Sequence, residues 1–141
     1  MKERRSAHRT QWAAQFAVAS ELCKRNYQVA LTLGNHPAID LMVISPKGTP
    51  FLIDVKGLYK PAFWGVREKP ERDNLYYVFA LVPDTGSNQF FILTQRQVNE
   101  GIGRYRESGL ARGRTEQKVA LFTGVPWNYV QPFTDWNALP D

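Results

Sequence analysis

The chain has 141 residues, 43% of them hydrophobic, with 4 Trp, 6 Tyr and 8 Phe, which is enough for one hydrophobic core and one domain. Eighteen Lys and Arg against 13 Asp and Glu give a net charge of +5 that favours an anionic partner. The single cysteine, Cys23, excludes an intramolecular disulfide framework, suits a reducing compartment and, set among apolar residues, reads as a packing side chain. No apolar run approaches the ~20 residues of a membrane span, and the charged opening MKERRSAHRTQW leads into no signal-like segment. A soluble, cytoplasmic protein without membrane association is expected.

In chain order, an amphipathic helix is expected from Ser6 or Thr10 to about Arg25. At about 100° per residue, Trp12, Phe16, Ala19, Leu22 and Cys23 share one side, with Val18 at the margin. Asn26 is its stop. Three strands follow over residues 27–33 (YQVALTL), 38–44 (AIDLMVI) and 51–57 (FLIDVKG), separated by the turns GNHP and SPKGTP. Their near-continuous apolar runs predict a sheet covered on both faces.

The polar connection LYKPAFWGVREKPERDN leads to a fourth strand over 75–82, and PDTGSN leads to a fifth over 89–93. Thr94 caps a second helix, QRQVNEGIGRYRE, weakened by Gly101 and Gly103. Residues 108–141, rich in Trp and Pro, are expected to pack on the core by their aromatics. The expectation is therefore one α/β domain over 1–141, with a core of about 10–107 and a mixed central sheet flanked by helices.

Two acids and a lysine interrupt the second and third strands. Alternation puts Asp54 and Lys56 on one face of the third. If Pro46 to Gly48 form a three-residue loop, Ser45 faces Thr49 and Asp40 stands across from Asp54, about 4.5–5.5 Å away between Cβ atoms. An even-length loop slips the register and separates them. Paired carboxylates in an apolar sheet repel unless a positive charge joins them. Lys56 offsets one of them, and a hard cation satisfies both, prefers oxygen ligands and makes water easier to deprotonate. The plainer alternative is an edge-strand ion pair with Asp40 near a turn. Gln15 is a second oddity, an amide lying inside the apolar arc of the first helix, whose partners are either these carboxylates or the backbone.

Asp40 in PAIDLMV and Asp54 and Lys56 in IDVKG, behind a helix, resemble the PD-(D/E)XK nuclease superfamily, over roughly residues 10–95. The resemblance implies a three-layer, restriction-endonuclease-like αβββαβ core and a Mg²⁺- or Mn²⁺-dependent endonuclease. It implies Asp40 and Asp54 as metal ligands with the carbonyl of Val55, and Lys56 assisting the attacking water. It also puts Gln15 where the family commonly has a Glu, which leaves a second reading: a weakly active or inactive module that binds nucleic acid or a protein.

The expected partner is nucleic acid, DNA first, contacted by Lys60, Trp64, Arg67 and Lys69 in the loop after the third strand. Two other basic clusters flank the core: Lys2, Arg4, Arg5, His8 and Arg9 at the N-terminus, and Arg96, Arg104, Arg106, Arg112 and Arg114 in and beyond the second helix. A chain this small is expected to form a homodimer to engage two strands. His8 and His36 lack partners at zinc-ligand spacing, and no glycine-rich nucleotide loop follows a strand.

Overall fold

Ser6 fixes the start of the first helix, α1 (Ala7–Lys24), its Oγ accepting from the Arg9 N–H at 3.2 Å. Asn26 ends it at φ 69°, and the N–H groups of Asn26 and Tyr27 return to the carbonyls of Cys23 and Leu22. Then come β1 (Gln28–Leu31), β2 (Leu41–Ile44), β3 (Pro50–Leu58), β4 (Trp64–Gly65), β5 (Leu75–Leu81) and β6 (Gln89–Thr94). The chain closes with α2 (Gln95–Ala111), α3 (Glu116–Leu121), β7 (Gly124–Val125), α4 (Trp127–Val130) and a 3-10 turn, Trp136–Ala138. This computed structural model describes residues 3–141, so Lys2 of the N-terminal basic cluster lies outside them.

Five strands form one mixed sheet in the order β1-β2-β3-β5-β6. β3 and β5 run parallel and the other neighbours antiparallel. An αβββαβ order places a helix between the third and fourth strands of the sheet. Residues 59–74 make that crossover without one and supply β4 instead, which pairs with β7.

On one face, Ala14, Val18 and Leu22 of α1 pack over Leu41, Val43, Ile53, Val55, Val78 and Ala80; on the other, Val98 and Ile102 of α2 join Trp64, Tyr77, Phe79, Phe91, Leu93 and Val125. The buried stripe of α1 keeps Val18, Ala19 and Leu22 of the expected one but turns toward Ala14 and Gln15. Trp12 and Phe16 stack on each other outside, at 5.7 Å between centroids, and Cys23 is exposed. Close approach selects small residues on the inner side: a Cβ on Gly57 of β3 would come 2.7 Å from Ala14 Cβ, which leaves no room for an aromatic ring.

The sheet is covered on both faces only at β5 and its neighbours. α2 does not reach β2, so Met42 and Ile44 stay 55% and 42% exposed. α2 itself runs through both glycines. Thr94 and Gln97 form a capping box, and Gly101 leaves space for the Tyr129 ring, whose hydroxyl donates to Gln97 O at 2.6 Å. The C-terminal segment packs by its aromatics: Trp127 stacks on Trp64, Trp136 lies on Phe90, and Tyr27 donates to Pro140 O at 2.8 Å. No helix among the described residues is long and apolar enough to cross a membrane.

Candidate functional site

The β2–β3 hairpin has the three-residue loop. Ser45 N–H donates to Thr49 O at 2.8 Å, Gly48 adopts φ 94°, and Leu41 to Ile44 pair with Ile53 to Pro50. One step further the ladder departs from the expected pairing. Asp40 N–H donates to Ile53 O at 3.0 Å, one residue out of step, so Asp40 is not a strict cross-strand partner of Asp54. Its carboxylate turns onto the edge of β3 instead, where Oδ2 accepts the Val55 N–H at 2.7 Å.

That edge is open because β2 ends at Leu41 while β3 runs on to Leu58. Buried backbone groups need partners, and here side chains replace a strand. Asp40 takes the Val55 N–H, and Gln11 Nε2 donates to the Val55 carbonyl at 2.7 Å. Gln15, buried on α1, donates from Nε2 to Asp40 Oδ1 at 3.3 Å. The amide of the apolar arc thus finds its partner in a carboxylate.

Asp54 lies across the parallel pair from Tyr77, buried, and Lys56 Nζ reaches its Oδ1 at 3.1 Å from a half-exposed position. Burial pushes the Asp40 carboxyl above the usual carboxylate range, against the Val55 N–H and Lys56. Burial likewise raises Asp54, Lys56 pulls it down, and the Asp40 charge pushes it up again. Lys56 pairs with Asp54 alone, and Asp40, held by the Val55 N–H and Gln15, feels its charge from further off. The Val55 carbonyl keeps a second lone pair beyond its bond to Gln11. Among the described residues no group of three or more His, Cys, Asp or Glu converges, so a cation here would have to draw on Asp40, Asp54, the Val55 carbonyl and the Gln15 amide. All are compatible with a hard divalent ion.

Behind the site lies a buried polar chain that periodicity and motif spacing do not reveal. Burial raises the Tyr77 phenol to about 12, so it stays protonated and donates to Gln95 Oε1 at 2.7 Å. Gln95 donates to Asn99 Oδ1 at 2.8 Å, and Asn99 holds Lys69 at both its N–H and its carbonyl. The Lys69 charge in turn lowers the Asp54 carboxyl. The available signal was two amides four residues apart in the first turns of a capped helix.

Lys56, Arg67, Lys69 and Tyr77 line a cavity of about 530 Å³, walled opposite by Ala120, Leu121 and Thr123. Of the four residues expected to meet nucleic acid, Arg67 and Lys69 are there and two are elsewhere. Trp64 is 1% exposed, wedged between Trp127 and Phe79, and has no free face for a base. Its neighbours are aromatic on both sides, so packing claims the ring. Lys60 lies above the Tyr59 ring, whose hydroxyl accepts from Arg4. In the flanking basic clusters, Arg5 is committed to Asp84 and Val82 O, and Arg106 to Glu68. His36 is a turn residue, its Nδ1 accepting from Ala38 N–H at 3.3 Å. No protein-family model, curated protein or solved structure matches the chain.

Proposed function

We propose that this chain is a metal-dependent nuclease of the PD-(D/E)XK kind, built on a variant of the restriction-endonuclease-like core and hydrolysing phosphodiester bonds, in DNA first. One observation carries the reading. Asp54 pairs with Lys56 at 3.1 Å, and Asp40 accepts the N–H of the intervening Val55 at 2.7 Å where the edge of β3 opens, so two acids and a lysine attach to three successive positions of one strand. The Asp54–Lys56 ion pair needs one acid; Asp40 caps the Val55 N–H, which a neutral acceptor could do without adding a second negative charge near Asp54.

Asp40, Asp54 and the Val55 carbonyl would hold Mg²⁺ or Mn²⁺, with the Gln15 amide beside them. Bound there, the ion supplies Lewis-acid polarisation of a phosphoryl oxygen and lowers the pKa of water. The rest falls to the chain's own residues. Asp54 and Asp40 bring negative charge that favours the cation, and Lys56, half exposed at the cavity, places an ammonium where an attacking water is oriented or phosphate charge accumulates. Arg67 and Lys69 extend that positive lining and bind the phosphates on either side. The second reading, a nuclease-fold module that binds without cutting, draws on Gln15, which brings no charge to a donor set of two acids.

The test is incubation of supercoiled, linear, single-stranded and branched DNA, and of RNA, with the protein in Mg²⁺, Mn²⁺ or EDTA. Cleavage that needs metal and vanishes in Asp54→Ala and Lys56→Ala supports the enzyme. Binding without cleavage of any substrate supports the module, and neither binding nor cleavage sinks both.

A further inference from the structure

We propose that Leu121 and Phe122 form an apolar wedge that takes unpaired bases beside the cationic cavity, so that the chain prefers nucleic acid with unstacked nucleotides to a perfect duplex. The inference rests on the nuclease reading and assigns its substrate class.

Leu121 and Phe122 are the two most exposed large apolar side chains among the described residues, at 74% and 67%. Scattered apolar residues on a surface need no explanation, but these are adjacent and stand at a functional rim. Leu121 lines the cavity with Lys56, Arg67 and Lys69, and Phe122 lines a smaller hollow that shares Ala120 and Thr123 with it.

The pair is held firmly relative to the cations. Val119 seats α3 on α2 at Gly109, where a Cβ would come 3.1 Å from Val119 Cγ2. Thr123 O accepts from Val66 N–H at 3.3 Å, and Gly124 and Val125 pair with Gly65 and Trp64. A Cβ at Gly124 would overlap the Trp64 carbonyl, so this strand pair closes only with glycine there. The wedge and Arg67 therefore ride on one two-stranded unit.

Lys56, Arg67 and Lys69 line the cavity; Lys56 is paired with Asp54, and Arg67 and Lys69 supply the positive charge that calls for an anionic ligand. Bare Leu121 on its wall and Phe122 in the adjoining hollow call for a ligand with flat apolar surface as well. Nucleic acid with unpaired bases offers phosphates and open π-faces together, whereas a perfect duplex keeps its bases stacked away from such a rim.

The experiment measures binding of the full chain in EDTA, by fluorescence anisotropy, to a single strand, a perfect duplex and a duplex with an unpaired loop carrying 2-aminopurine. The proteins are wild type, Leu121→Ser/Phe122→Ser and Phe122→Trp, with thermal melts confirming that each is folded. Wild type is expected to bind the two unpaired ligands at least about 5-fold tighter than the duplex, the lower end of one stacked base. The double serine variant is expected to lose that preference with duplex affinity unchanged, and Phe122→Trp to keep it. A preference that survives the double substitution, an equal loss on all three ligands, or no preference in wild type overturns the wedge. So does a wild-type dimer that the double variant converts to monomer, since a second copy then covers the pair. Metal-dependent cleavage with equal use of paired and unpaired substrates overturns the wedge alone. An intact preference without cleavage overturns the nuclease reading and leaves the wedge standing.

Discussion

Up to Ile53, β3 is paired with β2; from Asp54 onward it is paired with β5 alone. The first stretch satisfies its outer backbone groups by a neighbouring strand and fills its inner face with Phe51 and Ile53. The second has Asp40 and Gln11 bonded to Val55, and α1 pressed against Gly57. The contrast shows what an open strand edge needs: where a partner strand stops early, polar side chains cap the exposed ladder, and under the proposed function Asp40 would serve the metal as well.

Substitutions in the two halves should separate stability from activity. The largest effect belongs to the open half: Asp54→Ala is expected to lower metal-dependent cleavage about 10³-fold or more, and Lys56→Ala about 10²–10³-fold, with melting curves showing both folded. In the paired half, Ile53→Ala should lower stability by about 2–5 kcal/mol in urea titration while the folded fraction keeps its cleavage rate per molecule. A rate that falls as far as in Asp54→Ala would erase the distinction between the halves.

Gly57→Ala probes the open half where α1 presses on it. Its new Cβ meets Ala14 Cβ at 2.7 Å and the Thr10 carbonyl at 3.1 Å, so α1 must shift, with an expected loss of about 1–3 kcal/mol by chemical denaturation. Unchanged stability would mean that α1 does not press on the open edge.

The smallest effect concerns Asp54→Asn, and its sign is unusual. The folded carboxyl is raised above its unfolded value, so without metal its ionisation opposes folding at neutral pH, and the penalty fades as pH falls through the raised value. The Asn variant should therefore melt a few degrees higher than wild type near neutrality, and the gap should close toward mildly acidic pH. Calorimetry that finds the variant less stable at neutral pH contradicts a desolvated Asp54.

Much of this was legible in the sequence. Thr94, Asn26 and the Pro46–Gly48 turn act locally, through caps and backbone conformation, and they set the boundaries they were expected to set. The register followed from loop length as far as Leu41. What escaped depends on distant packing. Trp12, Phe16 and Cys23 look like a buried face by periodicity, but the narrow gap between α1 and Gly57 favours Ala14 and Val18. Trp64 lies among cations in sequence and among aromatics in space. The early end of β2, which turns Asp40 onto Val55, and the 120–123 wall of the cavity arise from contacts between segments far apart in the chain.

The central claim is that the open edge of β3 holds a divalent cation. Titration of Mn²⁺ into the full chain, read by electron paramagnetic resonance, tests it without requiring turnover. One bound ion is expected per chain, lost in Asp40→Asn and in Asp54→Asn, retained in Ile53→Ala and weakening as pH falls into the raised range of the two carboxyls. No bound Mn²⁺, or binding that both Asn variants leave untouched, would contradict it.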